Sequence, residues 1–403
     1  MMTRTRLAHV LTQARAGTDA LFAMVRPNAL YDRPIPERHR MIFYLGHLEA
    51  FDWNQIGQGA LGLAPFHAEF DRLFAFGIDP PEGRLPDDKP SDWPSMAEVQ
   101  SYNQRVRHAL DAVLDHAPEP MLHVAIEHRL MHAETFAYIL HHVPSERKTV
   151  PPTTPPLAGP DPIHTMIDIP GGLVTLGRSR QDGFGWDNEC EASTVAVDAF
   201  AISKYKVTNG QYLEFVHAGA EPPHFWTRHG SPWFWRTMAG AVPLPLNWPV
   251  YVTYREAAAY AQWVGKALPT EAQFHRAAYG TPSGEERLYP WGDEPPDATR
   301  GNFDVRHWDP VPVTASPLGD SAFGVSQLVG NGWEWTATLF HPFPGFQPFA
   351  FYPGYSVPFF GGVHYVLKGA SARTAACLLR RSFRNWFRPS YPYVYAGFRC
   401  VES

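Results

Sequence analysis

The sequence predicts a multidomain protein in which an all-α four-helix bundle is followed by an α+β domain. Three observations carry this. Residues 4–143 hold long stretches whose apolar residues recur at the helical period. Residues 144–162, "PSERKTVPPTTPPLAGPDP", are proline-rich, lack any apolar period and read as an extended linker. From residue 163 onward, short β-like runs alternate with loops rich in Gly, Pro and Asn. At 403 residues the chain is long for one domain, and its 40 prolines and 13 tryptophans concentrate after residue 150, so composition divides it at the same place. The expected units are 1–143, a linker over 144–162, and 163–403.

Within the first unit, one helix runs through "RLAHVLTQARAGTDALFAMVRP" and stops at Pro27. A second, "PERHRMIFYLGHLEAFDWNQIG", has apolar residues at 41, 44, 45, 48 and 51. The third opens at a capping box formed by Ser95 and Glu98. The fourth spans about Glu119 to Val143, and one long connection, residues 59–94, joins the second helix to the third. In the second unit, strands are expected in "MIDIPGGLVTLG", "TVAVDAFAIS", "HYVLKGAS" and "YAGFRCV", and helices in "TNGQYLEFVHAG" and "TYREAAAYAQWVGKA".

Composition excludes several classes of function. Charged residues make up 18%, the formal net charge is −6 and there is no basic run, which argues against nucleic acid as a partner. No 18-residue apolar run occurs and the N-terminus lacks a signal-peptide pattern, so neither a membrane span nor a secretory leader is expected. Three scattered cysteines, Cys190, Cys377 and Cys400, fit a reducing cytoplasm and offer neither a disulfide framework nor a thiolate metal site.

The stretch "IEHRLMHAE" places His128 and His132 four apart on one helical face, in a stripe with Met121, Ala125, Phe136 and Ile139. His47 lies on a face of the second helix with Phe43, Tyr44 and Phe51. Three neutral imidazoles on two helices would suit Fe(II), Zn(II) or Cu(II) and leave positions open for substrate or dioxygen. Glu134 points elsewhere, about 200° around the helix from His132. Spacing alone leaves a second reading open, in which these are core histidines satisfied by polar neighbours. His141 and His142 end the helix and are read as capping groups.

The segments "IPGGLVTLGRSRQDGFGWDNECEASTVAVDAFAISKYKVTNGQYLEFV", "ALPTEAQFHRAAYG", "YPWGDEPP", "NGWEWTATLF", "HYVLKGASART" and "SFRNWFRPSYPYVYAGFRCV" together resemble the formylglycine-generating (sulfatase-modifying factor) fold, a C-type-lectin-like domain. The resemblance covers nearly all of residues 163–403. The cysteine pair of the formylglycine-generating enzymes is absent from "RSFRNWFRPSYP", so their cysteine–copper oxidation is not implied. A DinB-type bundle with a lone His and then HxxxHxE, joined to this fold, resembles the ergothioneine sulfoxide synthases and the selenoneine synthases. That resemblance implies a non-heme Fe(II) held by His47, His128 and His132, with O2 as co-substrate. It also implies the substrate hercynine, whose imidazole C2 receives sulfur or selenium. Asn385 and Trp386 of "FRNW" match the hercynine-binding residues, with Phe387 beside them, and Arg381, Arg384 and Arg388 are candidates to hold the carboxylate. Aromatic faces suit a quaternary ammonium, which has no N–H to donate. Trp333, Trp335, Phe346, Phe359 and Phe360 are further aromatic candidates, each equally readable as a packing residue. Tyr352 is the first candidate for the catalytic tyrosine and Tyr355 the second. A calcium ion near "GNGWEW" is implied as in some relatives.

Two departures bear on the chalcogen donor. Sulfoxide synthases carry Gln-Gln where this chain has Leu130 and Met131. Their arginine-rich stretch is replaced by "LFAFGIDPPEGRLPDDKPSDWPS", which has one arginine, Arg84, and five acids. A neutral, hydroxyl-rich donor is better matched to Asp and Asn acceptors, and the resemblance to the selenoneine synthases then implies a selenosugar as the expected donor, giving a C–Se bond. The alternative within the class is a sulfoxide synthase using cysteine or γ-glutamylcysteine. The alternative from another class is a non-catalytic lectin-like binding protein.

Overall fold

A computed structural model describes residues 4–77, 85–150, 157, 159–228 and 230–402. It divides into two compact units, Met1–Pro152 and Thr153–Ser403. The central linker residues 151–156, with Ala158, lie outside the described residues.

The first unit is helical. Helix α1 spans Arg4–Ala23, α2 Met41–Asp52, α3 Ala68–Phe76, α4 Met96–Asp111 and α5 Glu119–His141. Ser95 caps α4 and its hydroxyl accepts from the Glu98 N–H, while Glu98 accepts in return from the Ser95 N–H at 2.8 Å, which is the expected capping box. The connection over 59–94 departs from expectation. Helix α2 runs on as a π-helical segment, Trp53–Ala60, and α3 forms within the stretch read as a loop. The cap of α3 is His67, whose ring accepts from the Phe70 N–H, an unusual capping group that a Ser/Thr/Asp/Asn search passes over. At the end of α5 the ammonium of buried Lys148 donates to the carbonyls of Leu140 and His141, at 2.8 and 3.2 Å, while the His142 ring bonds the Tyr138 carbonyl. The helix-end carbonyls thus have a cation against them. Residues 145–149 are tied back to the bundle by Arg26 N–H to Arg147 O and Thr149 N–H to Met24 O, so the first part of the linker belongs to the helical unit.

Charge is buried at the heart of this unit. Arg129 of α5, fully buried, donates to Glu49 at 3.0 Å and Asp52 at 2.8 Å on α2. Arg107 of α4 reaches the same Glu49 at 2.7 Å. Both carboxylates are themselves buried. No helix among the described residues is long and apolar enough to cross a membrane.

The second unit is built of short strands: β1 Met166–Ile169, β2 Gly172–Leu176, β3 Ser193–Val197, β4 Phe200–Ser203, β5 Trp226–Arg228, β6 Trp233–Arg236, β7 Ala241–Pro243, β8 Gly332–Leu339, β9 Tyr365–Ala370, β10 Asn385–Phe387, β11 Ala396–Gly397 and β12 Val401–Glu402. They form sheets in the orders β1-β4-β12, β10-β9-β8-β11, β2-β3 and β5-β6-β7. Only the β11–β8 pairing is parallel among those described. Helices α6 Asn209–His217 and α7 Tyr254–Trp263 occupy the expected segments, each started by a threonine capping box. A third, α8 Glu271–Tyr279, is capped by Thr270 and Gln273. Its "TEAQ" signature was readable in the sequence. The core gathers Val174, Ile202, Phe274, Tyr279 and Leu328 between α8 and the strands. Trp333 and Trp335 are buried, and the Trp335 indole donates to Val252 O at 2.8 Å, so both are packing residues. In the "GNGWEW" turn, Asn331 bonds Val311 and Gln327, and Glu334 is taken by Lys206 and Arg399, both at 2.6 Å. The motif therefore offers no free carboxylate to a calcium ion.

Removing the Arg129 guanidinium would leave Asp52 buried without its ion pair and Glu49 with Arg107 alone. Arg129→Ala is expected to destabilise the protein by about 3–5 kcal/mol, read as a lowered denaturant midpoint.

Candidate functional site

The three histidines come together. Among the described residues, His47, His128 and His132 form the one group of three or more His, Cys, Asp or Glu able to hold a metal, with ligand atoms all within 4.8 Å of one another. The Nε2 atoms of His47 and His132 stand 3.3 Å apart. Two nitrogens bound to one ion at about 2.1 Å, roughly 100° apart, would be separated by about 3.2 Å. Both nitrogens of His128 and Nδ1 of His132 are buried without a hydrogen-bond partner. Orphaned imidazole nitrogens are costly in a protein interior, and a shared ion would satisfy them. The core-histidine reading requires polar groups that satisfy the rings, and neither nitrogen of His128 has a hydrogen-bond partner among the described residues. The residues present fit a metal.

Neighbouring groups orient this trio. His47 Nδ1 donates to the Phe74 carbonyl at 2.6 Å, which turns Nε2 toward the other two rings. Phe51 stacks on His128 at 3.4 Å and Phe43 on His47 at 4.8 Å. Burial, chiefly, pushes His47 down from 6.5 to about 4, with the His39 and Arg129 charges adding to it. Burial likewise holds His128 and His132 well below the ordinary range, helped by the neighbouring imidazoles. All three are neutral at pH 7, as metal ligation requires.

The Phe74 carbonyl was not legible in the sequence. It reaches His47 because Gly46 lets α3 settle on α2: a Cβ at Gly46 would meet the Phe74 ring at 2.5 Å. Asp71, buried one turn earlier, anchors α3 by accepting from Tyr102 and from the Phe66 N–H, both at 2.7 Å.

In the second unit, Trp386 of β10 is half-buried in an aromatic cluster. Phe340 stacks on it at 4.3 Å, Tyr355 meets it edge-on at 5.6 Å and Phe359 lies tilted at 5.5 Å. Tyr352 is 5.6 Å from Tyr355, and Trp186 stacks on Tyr355 at 4.1 Å. Phe360 packs between Phe340 and Phe346. Both candidate tyrosines and Trp386 are thus in one cluster, together with Trp186 and Phe340, which sequence reasoning did not single out. Asn385 accepts from the Trp386 N–H at 2.9 Å, leaving its amide nitrogen without a protein acceptor among the described residues. Phe387 stacks instead on Tyr391, at 5.2 Å.

The arginines separate by role. Arg384 is buried and pairs with Glu271 at 3.0 Å, donating also to His341 O, so it is committed to the fold rather than offered to a substrate. Arg381 pairs with Glu286 at 3.2 Å. Arg388 is exposed and has no ion pair among the described residues.

The acids expected to serve a hydroxyl-rich donor are partly accounted for. Asp88 is buried and held by Arg33, Arg40 and the Trp93 indole; these keep it ionised against the cost of burial. Asp92 accepts from the Lys89 N–H. Asp79, Glu82 and Arg84 lie outside the described residues.

Residues 153–403 match the family described as sulfatase-modifying factor enzyme 1-like domain, and residues 11–147 match the DinB superfamily. The chain is 36% identical to a hercynine oxygenase of Mycobacterium tuberculosis, over 76% of this chain and 77% of that protein. It is 28% identical to ergothioneine biosynthesis protein 1 of Neurospora crassa, over 94% of this chain and 56% of that protein. A formylglycine-generating enzyme of Mycobacterium tuberculosis is 31% identical over 45% of this chain and 77% of its own length.

Two outcomes follow from the metal geometry. Gly46→Ala is expected to push α3 off α2 and weaken Fe(II) or Co(II) binding about 10–100-fold with all three ligands intact, measured by anaerobic calorimetry. The depressed imidazoles bind fewer protons folded than unfolded below pH 6.5. Their contribution to stability is therefore complete above about 6.5 and lost as pH falls toward 4. The urea midpoint should drop over that window, and added metal should move the drop to lower pH.

Proposed function

This chain belongs to the family of the hercynine oxygenases, a DinB-type bundle joined to a sulfatase-modifying-factor domain, and we propose on that premise that it couples a sulfur donor oxidatively to hercynine. The observation that supports the reading is the convergent, neutral trio His47, His128 and His132, with His47 and His128 buried and both His128 nitrogens without a hydrogen-bond partner among the described residues, in a chain of this family. The overall reaction joins imidazole C2 to the sulfur of cysteine or γ-glutamylcysteine. One atom of O2 enters the sulfoxide. The other leaves as water with the C2 and thiol hydrogens.

An Fe(II) ion on the three imidazoles would supply the dioxygen and thiolate chemistry. The protein's own groups have distinct tasks. His47 presents Nε2 because Nδ1 is held by the Phe74 carbonyl. The Trp386 face suits the trimethylammonium group, which needs polarisable electron density rather than acceptors. Arg388, free of ion pairs among the described residues, suits the hercynine carboxylate, and the unpaired Asn385 amide suits a hydrogen bond to substrate. Tyr352 is the proton donor of choice at its Oη, with Tyr355 as the alternative. Burial chiefly, and then the Asp187 charge, raise the Tyr352 hydroxyl above its ordinary range and keep it protonated at pH 7.

The relatives favour sulfur over the selenosugar expected from the acid-rich loop. One observation keeps a second reading in which a selenosugar is the donor: Leu130 and Met131 stand where the family's sulfoxide synthases carry glutamines.

Aerobic turnover of hercynine with cysteine, γ-glutamylcysteine, a thiosugar or a selenosugar, read by mass spectrometry, tests both. A sulfoxide adduct with cysteine or γ-glutamylcysteine is expected. Product only with the selenosugar would transfer the reading to C–Se bond formation. No iron stoichiometry near one, with binding unchanged in His128→Ala, would replace the enzyme by a binding protein.

A further inference from the structure

The turn Trp186–Glu189 touches both the segment that bears the candidate tyrosines and the one that leads into Trp386. Trp186 stacks on Tyr355. Asp187, fully buried, accepts a hydrogen bond from the Ser356 hydroxyl, and Asn188 donates to the same hydroxyl oxygen at 3.0 Å. The Asn188 carbonyl accepts from Arg384, the residue before Asn385 and Trp386, at 3.3 Å. Glu189 accepts from Arg380 at 2.8 Å and from the Ser382 hydroxyl at 2.6 Å. Residues 352–356 therefore hang from this turn at Tyr355 and Ser356, while the strand bearing Trp386 hangs from it at Arg384.

Asp187 has no ion pair among the described residues to explain why a carboxylate is buried here. The backbone N–H groups of Phe349 and Asn188 also bear on its carboxylate. A carboxyl group whose only need was to fill space could be replaced by an apolar one at a gain. Beyond its own turn, its contacts are with the tyrosine loop, through the Ser356 hydroxyl and the Phe349 N–H. We propose that Asp187 is a positioning residue for Tyr352: through Ser356 it latches the 352–356 turn and sets the tyrosine pair against Trp386. The negative field of Asp187 also falls on Tyr352. Burial, opposed by the Ser356 bond, raises the Asp187 carboxyl above its usual range. The latch adds a residue to the reaction proposed above and rests on that reading.

Its test begins with hydrogen exchange of the full chain, which needs no turnover. Ser356→Ala should speed exchange of the amides over 349–356 and leave helix α8 unchanged. Exchange unaltered in that loop overturns the latch, whether or not hercynine proves to be the substrate. With turnover established, Tyr352→Phe should lower kcat about 100-fold or more. Asp187→Ala should lower it about 10–100-fold with KM for hercynine changed less than about twofold. The double variant should lose no more than Tyr352→Phe alone, because Asp187 acts through Tyr352. Losses that multiply would show an independent or merely structural role and overturn the proposal. Asp187→Asn keeps an acceptor for Ser356 but removes the charge. It should retain loop protection and move the alkaline limb of kcat to lower pH. An unmoved limb in Asp187→Asn overturns the action of Asp187 on Tyr352 just as unaltered exchange overturns the latch, and Ser356→Ala serves equally in the kinetic cycle if Asp187→Ala does not fold.

Discussion

The Arg129 guanidinium between Glu49 and Asp52 is the interaction on which the convergence of the three histidines depends. Arg129 follows His128 directly on α5, and Glu49 lies two residues beyond His47 on α2. The ion pairs therefore fix the same stretch of the two helices that carries the ligands. A slip of one turn, about 5.4 Å, would break the pairs and separate the imidazoles together. Apolar packing alone tolerates such sliding better than a bidentate guanidinium does. Isolated from this context, a buried ion pair is weak support for stability, because desolvation offsets its attraction. Its worth here is register. Arg107 extends the constraint from α4 to Glu49, so three helices share one carboxylate.

The second unit solves a different problem with the same device. Its candidate groups stand on short strands and loops, which have little regular hydrogen bonding to stiffen them. Buried ion pairs take that role: Glu334 with Lys206 and Arg399, Glu271 with Arg384, and Glu189 with Arg380. Lys368 closes the set by donating to the carbonyls of Arg381 and Phe383, just ahead of β10. Trp386 is presented by a three-residue strand whose approach is fixed by the buried cations Lys368 and Arg384.

What the sequence made legible follows from which forces are local. The helical period, the Ser95–Glu98 box and the threonine caps of α6 and α7 are short-range signals, and each marks its element. Helix α3 was passed over because its cap is a histidine and its length only nine residues. The π-helical run after Asp52 has no sequence signature at all. His128 and His132 are visible as a pair by spacing, and His47 is a candidate third from the face it shares with Phe43, Tyr44 and Phe51, but nothing local links residues 85 apart, and the core-histidine reading stays open until the resemblance is added. The Phe74 carbonyl could not be read, because a backbone group is the same in every residue. Arg384 and Arg388 look alike in sequence, and only Glu271, 113 residues away, makes one structural and leaves the other available.

The same separation of local from distant bears on the donor. Counting acids in the loop after α3 suggested a surface for hydroxyl groups. Asp88, however, is enclosed by Arg33 and Arg40, and Asp92 closes its own turn. Those arginines are equally unavailable to a carboxylate donor, so the charge count argues for neither kind of substrate. The difference that remains is on α5 itself. Leu130 and Met131 precede His132 directly and cannot make the hydrogen bonds that two glutamines would. A donor recognised there has to be selected by shape and by contact with apolar and thioether atoms, not by an amide pair. Sulfur and selenium are themselves soft and polarisable, so that contact is open to either element, and discrimination must come from the polar remainder of the donor.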